Sequence, residues 1–432
     1  MKKNLKLLLQ SLFPFILVFS IDIEGATVIH AGSLLDGTGS QPVKEMSIVI
    51  ENELISRVET GYIVPDPDDL YVDLTAYFVL PGLIDMHVHL DGEYSSKSYE
   101  ESISSSAADY AIQAVANANK TLLAGFTSVR NLGDSNNVTV SLRNAVNRGI
   151  VSGPRIFSSG KTISSSGGHG DPTNSLRPDL SSDPGPSKGV INNKDDSFKA
   201  VRFRYKEGAD LIKITATGGV LSNAKNGQNP QMTLEEISAI VTAAKDYGFK
   251  VAAHAHGAEG IKRAVISGVD SIEHGTLMDA EGMKLMRERG TYYVPTLLAG
   301  AWVADKAKID GFFPDLVKPK ALEIGPQLKT TFSKAYQAGV KIAFGTDTGV
   351  SAHGKNAEEF KEMVDAGMPA IQAILSATRE ASILLGQNSI LGSISPGKYA
   401  DLIAVSKDPL LNIEILESID FVMKGGEIYK SP

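Results

Sequence analysis

Pro81-Gly82-Leu83-Ile84-Asp85-Met86-His87-Val88-His89-Leu90 is an apolar run launched from a Pro-Gly turn and ended by two imidazoles. Side chains alternate along a strand, so Asp85, His87 and His89 share one face. A single inward histidine is usually a hydrogen-bonded core residue. Two histidines projecting together from one strand end have the spacing of a metal site.

The plan recurs along the chain. Short apolar runs at 126–131, 155–159, 211–215, 250–254, 271–274, 292–296 and 341–345 end in polar residues or glycine. Helical stretches such as 107–123, 234–247 and 258–267 fall between them. With 83–90 this makes eight strands alternating with helices over about 300 residues, the pattern of an α/β fold of the (β/α)8 TIM-barrel type spanning 81–394. A doubly wound open sheet is the alternative. Both ends of the chain carry short β-type runs with turn residues between, such as Thr27-Val28-Ile29-His30 and Asp401-Leu402-Ile403-Ala404-Val405. They predict a small β-sandwich domain composed of 26–80 plus 395–432. Two segments break the rhythm. Residues 164–196 are rich in Ser, Gly, Pro and Asp and read as a lid or as disordered chain. Residues 305–326 form a second insertion after the seventh strand.

Composition narrows the chemistry. The 432 residues carry a formal charge of −8, which argues against nucleic acid as a partner. No Lys/Arg run points to an anionic membrane surface. There is no cysteine, so disulfides and thiolate metal sites are excluded, and any metal must use His, carboxylate or a modified side chain. The basic start Met1-Lys2-Lys3-Asn4-Leu5-Lys6, the apolar run 7–19 and Val18-Phe19-Ser20 predict a signal peptide over 1–20 and an exported protein, periplasmic or secreted.

Barrel active sites sit at the C-terminal ends of strands. Lys213 lies in Leu211-Ile212-Lys213-Ile214-Thr215, where packing of the isoleucines on helices turns the ammonium inward. Such a group must be paired, deprotonated or modified. It is an ion-pair partner of Asp85 or Asp347, a neutral base, or a lysine carboxylated by carbon dioxide, and the residues alone leave these open. His254 ends Ala253-His254-Ala255-His256-Gly257, His274 ends Ser271-Ile272-Glu273-His274-Gly275, and Asp347 lies in Phe344-Gly345-Thr346-Asp347-Thr348-Gly349. Singly, each also suits a capped strand end or a helix N-cap. Together, His87, His89, His254 and His274 supply four nitrogen ligands and Asp347 a carboxylate. A carboxylated Lys213 would make room for two divalent ions about 3.5–4 Å apart.

Across its mature length the sequence resembles the amidohydrolase superfamily. The stretches around His87, Lys213, His254, His274 and Asp347 resemble its imidazolonepropionase-like branch, which includes Xaa-Pro and Xaa-Arg/Lys dipeptidases and ochratoxin-hydrolysing amidases. The resemblance implies a carboxylated Lys213 bridging two divalent ions, with zinc the expected metal. It assigns His87, His89 and Asp347 to one ion, and His254 and His274 to the other. Water activated between the ions would attack an amide, Asp347 would take its proton and return it to the leaving amine, and Lys213 would complete the catalytic pair. The resemblance also makes His169, in Ser166-Gly167-Gly168-His169-Gly170, a substrate contact. His256 shares a face with His254, and His353 follows the eighth strand; both are candidates to contact substrate. Arg130 and Arg155 either hold a substrate carboxylate or sit in structural ion pairs. Trp302, Tyr292 and Tyr293 suit core or pocket wall.

The leading expectation is therefore a binuclear amidase or dipeptidase releasing a C-terminal amino acid from a small amide or dipeptide. It would need no nucleic acid and no membrane after signal removal, and homo-oligomerisation stays open. A cyclic-amide hydrolase or deaminase is the second class, separated by its one-metal site. A silent binding protein is the third, disfavoured because all six ligand positions are filled.

Overall fold

The computed structural model describes residues 25–432 apart from 40, 135, 175, 178 and 223–226. The predicted signal peptide lies outside the described residues. Four strands come first: β1 Thr27–Leu34, β2 Val43–Glu51, β3 Leu54–Thr60 and β4 Leu70–Pro81. The middle carries β5 Leu83–Val88, β6 Phe126–Asn131, β7 Arg155–Ser158, β8 Ser164–Ser165, β9 Val190–Ile191, β10 Ile212–Thr215, β11 Val251–Gly257, β12 Ser271–Leu277 and β13 Tyr292–Val294. The chain closes with β14 Leu402–Val405, β15 Phe421–Lys424 and β16 Glu427–Lys430. Between the middle strands lie α1 Ser98–Ser104, α2 Ala107–Leu123, α3 Val138–Asn147, α4 Lys194–Lys206, α5 Leu234–Asp246, α6 Ala258–Ser267, α7 Ala280–Arg289, α8 Leu297–Lys306 and α9 Lys318–Gln337. No described helix is long and apolar enough to cross a membrane.

Both ends of the chain build one seven-stranded sheet of order β16-β15-β14-β4-β1-β2-β3. Its inner residues, among them Ile48 and Ile50 of β2 and Phe421 and Met423 of β15, share a single apolar cluster although their strands lie far apart in that order. Leu54 of β3 forms an antiparallel bridge to Tyr399, just before β14.

The middle strands form two parallel sheets, β5-β6-β7 and β10-β11-β12-β13. Strands such as β5 and β11 are buried along their whole length, as parallel strands covered on both faces must be. Two junctions connect the sheets. At one, Ile163 bridges Ile214 in parallel, and the Asp210 amide donates to the Ser158 carbonyl. At the other, residues 341–345 run between β13 and β5: the Tyr293 amide donates to Lys341, the Ala343 amide to Tyr293 and the Met86 amide to Phe344. Residues 341–345 were predicted as a full strand. The Phe344 amide instead donates to Ser376, at the start of a π-helical turn over Ser376–Glu380, which interrupts the ladder. Ile212 and Ile214 share the main core with Ile237 and Ile240 of α5, so Lys213 faces the interior.

The segment 164–196 is not unstructured chain where it is described. β8 and β9 pair in parallel, a short 3-10 turn follows Gly185, and Asp171 accepts from the Gly167 and Thr173 amides.

Candidate metal-binding hydrolase site

The strand ends bring His87, His89 and Asp347 together. Each offers one ligand atom, and these atoms lie within 4.8 Å of one another. Asp347 Oδ1 is 3.3 Å from both His87 Nε2 and His89 Nε2. His274 joins them, its ring 5.0 Å from that of His87, and His254 stands 4.6 Å from His274. Lys213 Nζ is 3.4 Å from His87 Nε2.

The second nitrogen of each imidazole explains the orientations. His87 Nδ1 donates to Glu273 Oε2 at 2.9 Å, and His89 Nδ1 to the Gly133 carbonyl at 3.2 Å. His274 Nδ1 hydrogen-bonds Thr296 Oγ1 at 2.8 Å, and His254 Nε2 donates to the Gly218 carbonyl at 3.0 Å. Every ring thus has one nitrogen held by protein, and all four rings line the same cavity. Outer partners of this kind fix tautomer and ring plane around metal ions. Burial lowers the pKa of His87 to about 4 and holds His254 and His274 well below the ordinary value. They are neutral at pH 7, as nitrogen donors must be. Burial alone would raise the Asp347 carboxyl, but its interactions with His87, His89 and Lys213 outweigh burial and hold it below its ordinary value. This donor set fits divalent ions.

Lys213 finds no ion-pair partner among the described residues. Burial lowers its pKa to about 8. Asp85, one proposed partner, is spent elsewhere. It accepts from the His87 and Thr346 amides, from Thr346 Oγ1 at 2.6 Å and from Asn356 Nδ2 at 2.8 Å, tying β5 to the segment before Asp347.

Glu273 is the residue that strand alternation hides. If His274 faces the cavity, its neighbour should face away. His274 instead takes a left-handed backbone, φ 68°, so both side chains reach His87. Glu273 also accepts from Arg130 Nη2 at 2.8 Å and Ser271 Oγ at 2.5 Å, and Arg130 Nε donates to the Met86 carbonyl. Arg130 is therefore a buried brace behind His87, in the structural ion pair that is one of its two readings. Arg155 is bound to Asp401 at 2.7 Å and stacks on Tyr399, beside the seven-stranded sheet.

His169 and His256 reach the cavity. The His169 ring stacks on His254 at 4.4 Å, while its amide donates to Gln231 Oε1. A side chain at residue 219 would collide with that ring at 2.3 Å, so Gly219 makes room for it. His256 Nδ1 hydrogen-bonds Thr276 Oγ1 at 2.7 Å. His353 does not line the cavity. Its Nε2 donates to the His89 and Gly92 carbonyls, both at 3.1 Å, and braces the chain after β5.

The cavity holds about 150 Å³. Its floor is the histidines and Asp347; its wall is apolar, with Val220, Leu221, Ala299, Val303, Ile324, Leu328 and Val350. Many of these belong to a satellite cluster apart from the main core, drawn from the chain after β5 (Tyr94), after β10, from α8 and α9, and from Val350. Trp302 and Tyr94 pack there, behind the residues that line the cavity.

The model of the amidohydrolase family matches residues 78–430. The chain belongs to the amidohydrolase family. Ochratoxinase from Aspergillus niger is 30% identical, with 96% of this chain and 89% of the relative covered. Among solved structures, a Xaa-Pro dipeptidase with methionine bound in its active site is 55% identical, with 94% of this chain and all of that chain covered at a TM-score of 0.92. A prolidase complexed with N-methylphosphonate-L-proline is 32% identical, with 94% and 100% covered at 0.86. This amidohydrolase is a hydrolase acting on C–N bonds of small amides or dipeptides.

Proposed function

We propose that this amidohydrolase holds two divalent ions and cleaves the bond to a C-terminal amino acid in a dipeptide or N-acyl amino acid. One observation carries the reading: His87, His89, His254 and His274 each have one nitrogen bound to protein while the rings converge on one cavity. His87, His89 and Asp347 would hold one ion, His254 and His274 the other, with a carboxylated Lys213 shared between them. Burial of Lys213 without an ion-pair partner supports that modification, since only the neutral amine takes up carbon dioxide. Zinc suits nitrogen and oxygen donors in a chain without thiolates. Such ions, when bound, supply Lewis acidity toward water and the scissile carbonyl. The protein's own residues do the rest. Asp347 takes the proton from the attacking water and delivers it to the leaving nitrogen. His169 and His256 orient the substrate's polar groups, and the apolar wall excludes water. His353 serves by bracing the chain at His89.

The same reading makes 81–394 a closed (β/α)8 barrel, supported by the two junctions between the parallel sheets. It makes 26–80 plus 395–432 a β-sandwich, supported by the cluster shared between distant strands. The test is a screen of dipeptides, N-acyl amino acids and cyclic amides, with metal content measured on the same sample. About two ions per chain and release of a C-terminal amino acid are expected. One ion per chain with turnover of cyclic amides alone would overturn the reading.

A further inference from the structure

The start of α8 is not capped by the residue placed to do so. Thr296 immediately precedes the helix, and a threonine there ordinarily offers its hydroxyl to the first amides. Here Thr296 makes no cap bond and has a left-handed backbone. Its Oγ1 hydrogen-bonds His274 Nδ1 at 2.8 Å instead. The first turn, Leu297-Leu298-Ala299-Gly300, carries no polar side chain that could substitute. The first amides of a helix have no partner within it, and buried ones must find one elsewhere.

Glu359 is that partner. It lies in a further helix, α10 Glu358–Asp365, 62 residues beyond Leu297. Its two carboxyl oxygens take one amide each, Oε1 from Leu297 at 2.9 Å and Oε2 from Leu298 at 2.6 Å. The side chain is fully buried. Among the described residues it bonds only the start of α8, and the mechanism leaves it unused. Burial raises its pKa well above the ordinary value, the two amides pull it down, and Asp85 and Glu362 push it up. A buried carboxyl is unfavourable unless it is hydrogen-bonded, so Glu359 and the start of α8 satisfy each other.

This division of labour has a consequence at the cavity. Capping requires an extended backbone at the cap residue. Thr296 could not keep that geometry and its present bond to His274. With α8 capped from α10, the Thr296 hydroxyl is left for the imidazole. The Thr296 amide donates to the Gly345 carbonyl at 3.1 Å, which fixes the residue from its other side. Ala299, Gly300 and Val303, on the helix so anchored, line the cavity.

We infer that Glu359 is a positioning residue of the metal centre, which caps α8 in place of Thr296 and so leaves Thr296 to orient His274. The inference rests on the two-ion reading and places the effect of Glu359 on the ion of His254 and His274. The ion of His87, His89 and Asp347 has its own brace, Glu273 on His87.

The test measures zinc affinity by chelator competition in the full-length enzyme and its Glu359→Gln, Thr296→Ala and Glu359→Gln/Glu273→Gln variants. Glutamine keeps one acceptor oxygen and sets an amino group against the other amide. Glu359→Gln should weaken one of the two ions about tenfold, the lower end of the loss for an outer partner, and leave the other at its wild-type affinity. Turnover should fall with that ion and return as free zinc is raised, which a packing defect would not do. Thr296→Ala should weaken the same ion, and the two changes together should cost less than their sum. Glu359→Gln/Glu273→Gln should weaken both ions. A lower Tm with both ions at wild-type affinity would make Glu359 a cap and nothing more, and would overturn the inference. Equal weakening of both ions by Glu359→Gln, or full additivity with Thr296→Ala, would overturn it too. If Glu359→Gln does not fold, Glu359→Asp, with the same charge on a shorter reach, is read against the same outcomes. Wild-type enzyme that holds a single ion overturns the two-ion reading and the inference with it, whereas two ions unmoved in the variants overturn the inference alone.

Discussion

On the floor of the cavity hydrogen bonds hold the imidazoles of His87, His89, His254 and His274: their partners are Glu273, Gly133, Gly218 and Thr296, and Glu273 is held in turn by Arg130 and Ser271. The roof is held by contact instead. Tyr94, Trp302, Phe312 and Phe313 meet edge to face or tilted, and α8 and α9 approach so closely that a Cβ on Gly325 would lie 2.8 Å from the Gly300 carbonyl. Hydrogen bonds have fixed lengths and directions, whereas apolar contacts tolerate volume-conserving exchange. Under the proposed function, the floor sets the reaction and the roof sets which side chain enters.

That contrast can be broken by experiment. Floor variants should change turnover or metal content, and roof variants should change selectivity alone. Asp347→Asn should lower kcat by up to about 10⁴-fold, the scale of lost general acid–base catalysis, while metal content stays near the wild-type value. Near-normal kcat would remove Asp347 from its role. Lys213→Ala should lower turnover by about 10³-fold, the scale of losing a group that stabilises reaction charge, with partial return on adding short carboxylic acids. Full activity without them would refute a bridging lysine. Glu273→Gln keeps the shape but weakens the hold on His87, and should cost about 10–100-fold in metal affinity, read by competition with a chelator. Gly300→Ala puts a methyl 2.4 Å from Leu328 Cδ1, and both residues line the cavity. It should reduce kcat/KM about tenfold or more for substrates with a large apolar side chain and little for small ones. Equal loss across the series would place that contact outside the specificity wall. Arg155→Met should leave kcat/KM unchanged and cost about 1–3 kcal/mol of stability by unpairing buried Asp401, seen as a lower Tm.

Sequence pattern made the floor largely legible because ligand-type residues recur where strands end. Helices at 107–123 and 258–267 match their predicted limits, and His87, His89, His254, His274 and Asp347 line one cavity. Glu273 escaped because alternation assumes an extended backbone, which His274 abandons. The committed partners of Arg130 and Arg155 lie 143 and 246 residues away in the chain, a separation that no local pattern encodes. The roof was opaque for the same reason. Trp302 suits core or pocket wall from its type alone, but Tyr94, Val220 and Val350 read as unremarkable loop residues until distant segments are packed into one cluster.

His274, Thr296 and Asp347 all adopt left-handed backbone, with φ of 68°, 54° and 57°. For the branched Thr296 this is an outlier that the surrounding fold must enforce. The consequence is a rule for choosing controls. Aspartate and asparagine tolerate this conformation nearly alike, so Asp347→Asn changes charge while leaving the chain path undisturbed. A valine or isoleucine there would distort the peptide and report on folding. At Thr296, glycine would relax the backbone yet delete the hydroxyl that steadies His274, so a more heat-resistant protein with poorer metal retention is the paired outcome to look for.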